Sequence, residues 1–112
     1  MIRTTTLAVL LAASFSVFAA EQAKTKVDLT KAKEIAEGMC VACHGADGMG
    51  KKSQQAPMLA GQYDWYVLKQ IKAIKSKERN NANTAKMYPF VKNLSDSDME
   101  NIAAYVQSLP KK

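Results

Sequence analysis

Apolar residues recur every three to four positions in three stretches of the chain, the spacing that places them on one face of an α-helix. The stretches cover residues 28–39, 63–79 and 95–110. Charged and polar residues fill most of the positions between them, as in helices that pack one face against a core. Nothing alternates with the two-residue period of a β-strand. The pattern therefore predicts an all-α fold with three main helices.

Polar residues and prolines at the ends of these stretches predict where the helices begin and end. Asp28 or Thr30 can cap the first helix, and Ser95 with Asp98 three residues later resembles a capping box for the third. Turn-forming residues at 79–84 predict the end of the second helix, and Pro110 predicts the end of the third. Pro89 is expected to open a short additional helix before the third one.

The first 20 residues have a different pattern. Arg3 is followed by an apolar run from Leu7 to Ala20, which ends in small residues just before polar, charged sequence. This layout predicts a secretory signal peptide over residues 1–20, with cleavage after Ala19 favoured over cleavage after Ala20. An uncleaved membrane anchor fits less well, because a spanning helix prefers roughly 20 apolar residues. Residues 21–27 are expected to form a flexible leader, and residues 28–112 the folded domain.

Size and charge narrow the classes of function. Without the first 20 of its 112 residues the chain keeps 92, enough for one domain whose modest core benefits from a metal, a disulfide or a cofactor. The formal net charge is +6, and +5 once Arg3 is removed. A basic surface favours acidic partners. Nucleic acid is an improbable partner for an exported protein, and no other apolar run predicts a transmembrane segment in the mature chain.

The cysteines and the only histidine lie together, as Cys40, Cys43 and His44. They are too few for a structural zinc site, which needs four ligands. A redox-active Cys-x-x-Cys motif works at a helix start beside a sheet, whereas this cluster follows a helix. A disulfide would close a very short loop, constrain the unfolded chain little and leave His44 without a role. Covalent haem uses all three side chains, and Cys-x-x-Cys-His is its attachment signature.

Three longer motifs, CVACHGADGMG, APMLAGQ and KMYPFVKNLSDSDMENIAAYVQSL, resemble class I cytochromes c. The likeness is to the small bacterial monohaem type, and also to one half of the two-domain dihaem type, and it covers most of residues 28–109. It implies the cytochrome c fold, with three main helices plus short helices and loops wrapped around one covalently attached haem c. Cys40 and Cys43 would form the thioethers, and His44 would bind the iron.

A second histidine cannot bind the other axial position of the iron, because the chain has only one. The mature chain offers five methionines, namely Met39, Met49, Met58, Met87 and Met99. Met39 and Met99 lie on apolar helix stripes and fit core packing. Met49 and Met58 follow the histidine closely, so neither easily reaches the far side of a porphyrin. The resemblance implies Met87 as the ligand, because the family places a methionine in the loop before the last helix.

The resemblance also implies a partner for the histidine ring. Pro57 lies in the segment APMLAGQ, where the family uses a proline carbonyl to accept a hydrogen bond from the ring N–H of the haem-binding histidine. Such a bond orients the ring and makes it a stronger donor to the metal. We further expect Tyr63, Trp65 and Tyr66 to line the haem pocket or the core.

With both axial positions filled, the expected function is one-electron transfer, by a periplasmic carrier that is not itself an enzyme. We expect a monomer that meets redox proteins with acidic docking surfaces. The basic residues that would attract them are Lys51, Lys52, Lys69, Lys72, Lys75, Lys77, Arg79, Lys86 and Lys92. Two alternatives stay open at this stage. One is a five-coordinate haem that binds a gas or has peroxidase-like activity, and the other is an electron-entry subunit of a larger oxidoreductase complex.

Overall fold

The computed structural model describes residues 26–112. The predicted signal peptide and all but two residues of the predicted leader lie outside the described residues. Five α-helices follow one another, α1 (Leu29–Met39), α2 (Val41–His44), α3 (Asp64–Lys75), α4 (Tyr88–Val91) and α5 (Asp96–Ser108), with 3₁₀ turns at Lys52–Gln54 and Thr84–Lys86. Residues 26–112 contain no β-strand, only an antiparallel bridge between Lys51 and Ala56. The prediction of an all-α fold with three main helices is confirmed.

The helix starts follow the capping residues. Asp28 accepts the backbone N–H of Lys31 on its side chain and so caps α1. At α5 the capping box is complete, because Ser95 Oγ accepts from the backbone of Asp98 at 3.0 Å and the Asp98 carboxylate accepts from the backbone of Ser95 at 3.2 Å. Pro89 lies in the first turn of the short helix α4, where its missing N–H costs nothing.

Helix α3 is shorter than the periodic stretch predicted, since it ends at Lys75 and the pattern continued to Arg79. Lys77 adopts a left-handed backbone with φ of 65°, and its N–H bonds to the Ile74 carbonyl at 3.1 Å. This left-handed residue turns the chain out of the helix. A repeat of apolar spacing does not reveal such a turn when the residue is a lysine.

The core forms where α5 packs against both α1 and α3. Its buried cluster consists of Val67, Ile71, Ile74, Val91, Leu94, Met99, Ile102, Ala103 and Val106. On α1 the fully buried positions are Ala32 and Ala36, whose small side chains let α1 approach α5 closely. Leu29, at the start of the predicted apolar stripe of α1, is instead 48% exposed.

Among residues 26–112 no helix is both long enough and apolar enough to cross a membrane.

Candidate functional site

A single turn of the chain carries the two cysteines and the histidine. Cys40 lies between α1 and α2 and caps both, and its carbonyl accepts the backbone N–H groups of Cys43 at 3.3 Å and His44 at 2.9 Å. Residues three and four positions apart on a helical turn share a face. All three side chains accordingly line one cavity.

The cavity has a volume of about 550 Å³, within the range of roughly 300–1,000 Å³ usual for ligand and cofactor pockets. Seven of the nine residues of the buried core cluster line it. The apolar core of the protein therefore surrounds this cavity instead of closing on itself. A large, flat, apolar group with a few polar attachments fits such a wall.

The histidine is fixed by one hydrogen bond. His44 is only 6% exposed, and its ring Nδ1 lies 2.8 Å from the carbonyl oxygen of Pro57. A carbonyl oxygen can only accept, so Nδ1 carries the hydrogen and donates it. In the neutral ring the other nitrogen, Nε2, then keeps its lone pair and is the atom that can bind a metal.

Three of the five candidate methionines line the cavity. Met39, Met58 and Met87 line it, whereas Met49 and Met99 do not. Met99 is 2% exposed and belongs to the buried cluster, so it serves packing. Three sulfur atoms thus remain as possible ligands at this site.

The segment that carries Met87 is held by a small hydrogen-bond network. Asn81 Oδ1 accepts the backbone N–H groups of Asn83 and Thr84, each at 3.0 Å, and the Asn81 N–H bonds to Thr84 Oγ1 at 2.9 Å. The carbonyl of the buried Thr84 then accepts the Met87 N–H at 3.0 Å. The asparagine side chain acts as a turn-forming group, and the turn fixes where Met87 enters the cavity wall.

Both cysteines are free thiols. Burial raises the pKa of the Cys40 thiol, and the neighbouring Cys43 raises it further. The protonated S–H form of Cys40 therefore predominates at neutral pH. Addition of each S–H group across a vinyl double bond would form a thioether, with sulfur on one carbon and hydrogen on the other.

The aromatic residues before and within α3 correct one expectation. Tyr66 lines the cavity, but Tyr63 and Trp65 do not and are 64% and 63% exposed. Their rings stack on each other with centroids 6.0 Å apart, and Trp65 meets the edge of Tyr66 at 5.9 Å. Val67 and Ile71 occupy the inward face of α3, which turns Tyr63 and Trp65 towards solvent.

Polar groups on the cavity wall were not anticipated as site residues. Gln70, Arg79 and Asn81 all line the cavity, and the Arg79 guanidinium donates to Gln70 Oε1 at 3.0 Å. The sequence offered only a weak signal for them. Arg79 and Asn81 lie in the predicted turn, and Gln70 is the polar residue directly before buried Ile71.

The basic residues have different surroundings. Arg79 and Lys86 lie on the cavity wall. Others make contacts within the fold: Lys75 donates to the Leu94 carbonyl, Lys77 lies 4.5 Å from the centre of the Tyr88 ring, and Lys51 donates to the Ala42 carbonyl at 3.2 Å. Some of the basic residues therefore make contacts that support the fold.

Comparison with known proteins agrees with this geometry. The family model described as Cytochrome c matches residues 29–110. The chain belongs to the cytochrome c family. Cytochrome c-554(548) from Halomonas halodenitrificans is 45% identical over 71 residues, which make up 63% of this chain and 84% of the relative. The prediction of a class I bacterial cytochrome c is confirmed.

Two solved structures share the fold. Reduced recombinant cytochrome c4 from Pseudomonas stutzeri superposes with a TM-score of 0.66 at 27% identity, over 73% of this chain and 48% of that one. A thiosulfate dehydrogenase from Marichromatium purpuratum also gives a TM-score of 0.66, at 26% identity, over 74% of this chain and 19% of that one. The cytochrome therefore spans about half and about a fifth of these two chains.

Membership of the family fits the site residues. Haem c is the covalent cofactor of this cytochrome, and Cys40 and Cys43 match its attachment motif. The cavity offers apolar walls, two thiols on one helical turn and an imidazole with a free Nε2, which is the donor set that such a group requires. Electron transfer through the haem, with redox partners, is accordingly the general function of the domain.

Proposed function

We propose that this cytochrome is a periplasmic electron carrier whose single haem c is attached through Cys40 and Cys43 and has His44 and Met87 as axial ligands. The observation that carries the proposal is the one cavity lined by all four residues. Haem c supplies one-electron exchange at the iron. The chain's own residues orient it, keep water from it and set its reduction potential.

His44 is the proposed first axial ligand because its other ring nitrogen is already committed. The Pro57 carbonyl accepts from Nδ1 at 2.8 Å, so the ring cannot turn without losing that bond. This contact holds Nε2 in one direction and strengthens its donation to a metal.

Met87 is favoured over the other two methionines of the cavity by its place in the fold. Met39 directly precedes Cys40, and Met58 directly follows Pro57, which touches the histidine. Both therefore belong to segments tied to the His44 side of the cavity. Met87 comes from a separate segment, just before α4, which has its own hydrogen-bond support at Thr84. A thioether ligand raises the reduction potential of a haem iron.

The experiment that tests the ligation is the absorption spectrum of the haem-loaded protein, ferric and ferrous, beside Met87→Ala. We expect a ferric sulfur–iron charge-transfer band that disappears in this variant. Met58→Ala is the matched control, because it removes a thioether from the same cavity wall and should keep the band. A high-spin spectrum in the unsubstituted protein would instead show an open iron and favour gas binding or peroxidase-like chemistry.

The mouth of the cavity is the proposed docking surface for redox partners. Met58, Tyr66 and Phe90 line the cavity and are 46%, 40% and 49% exposed. Arg79 and Lys86 share the same wall, so the apolar mouth is accompanied by positive charge. Acidic partners would approach it with electrostatic attraction. Electron transfer to such a partner should slow as salt is added, and a rate independent of salt would contradict this part of the proposal.

The polar wall residues have a proposed role in holding the haem. The carboxylate side chains of a haem need hydrogen-bond donors when part of them is enclosed. Arg79, Gln70 and Asn81 offer such donors on the cavity wall. Arg79→Met, which keeps much of the side-chain length but removes the charge, should lower the reduction potential, because positive charge near the iron favours the ferrous state.

Periplasmic location and a folded domain over residues 28–112 remain proposals that rest on the N-terminal pattern. The mass of the exported protein would identify the first mature residue, with cleavage after Ala19 or Ala20 as the two expected results. An unprocessed N-terminus in the purified protein would contradict export by a cleaved signal peptide. Sedimentation of the same sample tests the proposed monomer.

A second candidate function comes from one structural relative. The fold also occurs as about a fifth of the thiosulfate dehydrogenase chain described above. This cytochrome could therefore serve as an electron-entry or electron-accepting component beside a larger oxidoreductase. The size of the native complex in detergent-free extracts distinguishes the two, since a free carrier migrates as the cytochrome alone.

A further inference from the structure

Gly50 lies against the peptide that holds the haem-binding histidine. The backbone N–H of Gly50 donates to the His44 carbonyl at 2.7 Å. A Cβ atom at Gly50 would lie 2.7 Å from the carbonyl carbon of Pro57 and 2.8 Å from the nitrogen of Met58. These are the two atoms of the peptide bond whose oxygen accepts from the imidazole. Separations this short do not occur for real Cβ atoms, so the peptide would have to move.

The backbone around this contact leaves the peptide little room. Residues 51 and 56 pair on one side, with N–H to carbonyl distances of 3.0 and 3.1 Å between Lys51 and Ala56. On the other side the Gly48 carbonyl accepts from Leu59 at 2.7 Å and from Ala60 at 3.0 Å. Hydrogen bonds thus join residues 48–51 to residues 56–60 on both sides of Pro57 and Met58 along the chain. A side chain at position 50 would therefore displace that peptide, and its carbonyl oxygen with it, from the position in which it meets the histidine.

The backbone angles add a second requirement. Gly50 has φ of 81°, a conformation that side chains other than hydrogen disfavour. The positive φ would by itself favour glycine at position 50. It does not single out this position, since Gly45, Gly48 and Gly61 also have positive φ. The contact with the Pro57 peptide distinguishes Gly50 from Gly61, which has a similar φ of 70° but where the three atoms nearest to a Cβ all belong to the flexible side chain of exposed Lys111.

We propose that Gly50 is a positioning residue for the axial imidazole: its lack of a side chain lets the Pro57 carbonyl reach His44 Nδ1. The proposal rests on His44 as an axial ligand. Loss of the hydrogen bond would weaken electron donation by the ring to the iron. Weaker donation stabilises the ferric state less, and the reduction potential rises.

The test compares haem-loaded Gly50→Ala with Gly61→Ala, measuring the reduction potential by voltammetry and the solvent exchange of the His44 Nδ1 proton by NMR of the ferrous protein. In Gly50→Ala we expect a higher potential and proton exchange faster by about tenfold, the factor that corresponds to an ordinary hydrogen bond. In Gly61→Ala both values should stay near those of the unsubstituted protein. Pro57→Ala keeps a carbonyl at that position and should change both less than Gly50→Ala does.

Each outcome separates the positioning role from the ligand assignment. Equal potentials and equal exchange in the two glycine variants would overturn the role of Gly50. Faster exchange with an unchanged potential would retain the positioning but overturn the effect of this hydrogen bond on the iron, whereas the absorption spectrum tests the axial ligands separately.

Should Gly50→Ala fail to accumulate with haem, native-state hydrogen exchange of the unsubstituted protein provides a second test. The Gly50 amide and the His44 Nδ1 proton should exchange through the same opening, with the same dependence on denaturant. A separate, easier opening for the imidazole proton would overturn the proposal.

Discussion

Asn101 Oδ1 accepts the backbone N–H of Asp28 at 2.9 Å and so ties α5 to the residue that caps α1. Further along α5 the side-chain amide of Gln107 accepts the backbone N–H of Asp64, the first residue of α3, at 2.8 Å. One helix thus anchors the starts of two others through amide side chains. The two contacts differ in burial, because Asn101 is 3% exposed and Gln107 is an exposed residue.

This difference in burial predicts different costs of substitution. Asn101→Ala removes the acceptor and also the packing of a buried side chain, so the free energy of unfolding should fall by about 1–3 kcal/mol. Gln107→Ala makes the equivalent change where water can replace the amide, and should cost about 0.5 kcal/mol or less. Urea unfolding of the haem-loaded variants measures both. Equal losses would contradict the view that burial decides the cost.

Low pH should destabilise the contact between α1 and α5 that Lys31 and Asp98 form. Lys31 Nζ lies 2.8 Å from Asp98 Oδ1, and this hydrogen bond, followed by those from Ser95, holds the pKa of the Asp98 carboxyl below its usual value. A lowered pKa means that the stabilisation is fully present above the unfolded value of about 3.9 and is lost as the pH falls through the folded value. The partner lysine has a raised pKa, so its share is lost only above about pH 10.4.

We expect the stability of Asp98→Asn to approach that of the unsubstituted protein as the pH falls. Asp98→Asn should be less stable than the unsubstituted protein at pH 6, and the difference should shrink as the pH falls below 4. Asp96→Asn is the control, since Asp96 is 80% exposed and 3.8 Å from its partner Lys72, and its curve should follow that of the unsubstituted protein. Thermal unfolding between pH 2 and pH 7 checks this, and a constant difference for Asp98→Asn would contradict the linkage.

The aromatic residues at the start of α3 predict a contrast in reduction potential. Tyr66 lines the cavity, whereas Trp65 stands outside it. Tyr66→Ala should admit water beside the haem, favour the more highly charged ferric state and lower the potential. Trp65→Ala removes a larger ring that does not line the cavity, so the reduction potential should not change. Voltammetry of both variants tests this, and a shift in Trp65→Ala would contradict the outward orientation of that ring.

The local motifs were predictable from the sequence because their chemistry is local. Cys40, Cys43 and His44 lie within one helical turn, and the capping residues Asp28 and Ser95 act within three positions of themselves. Neither inference needs knowledge of the tertiary fold.

The outward orientation of Trp65 and the burial of Asn101 depend instead on how α3 and α5 are rotated about their axes. Apolar spacing fixes the centre of a helix face but not its edges, so an aromatic residue at the edge can turn outward and an amide can turn inward. The contact between Gly50 and Pro57 has no sequence signal beyond a glycine, since it depends on two segments that pair across a turn.

Removal of both thiols should leave a largely unfolded chain. Seven of the nine core residues line the cavity, so a bound haem would pack against most of the core. Without haem, the apolar side chains around the cavity would lose their packing partner on one side. That loss is large against the whole stability of an ordinary domain, about 5–15 kcal/mol. Cys40→Ala combined with Cys43→Ala should therefore lose the helical circular-dichroism signal together with covalent haem. Cys40→Ala alone keeps one thiol and should retain both, whereas a folded, haem-free double variant would show that the core can close without the cofactor.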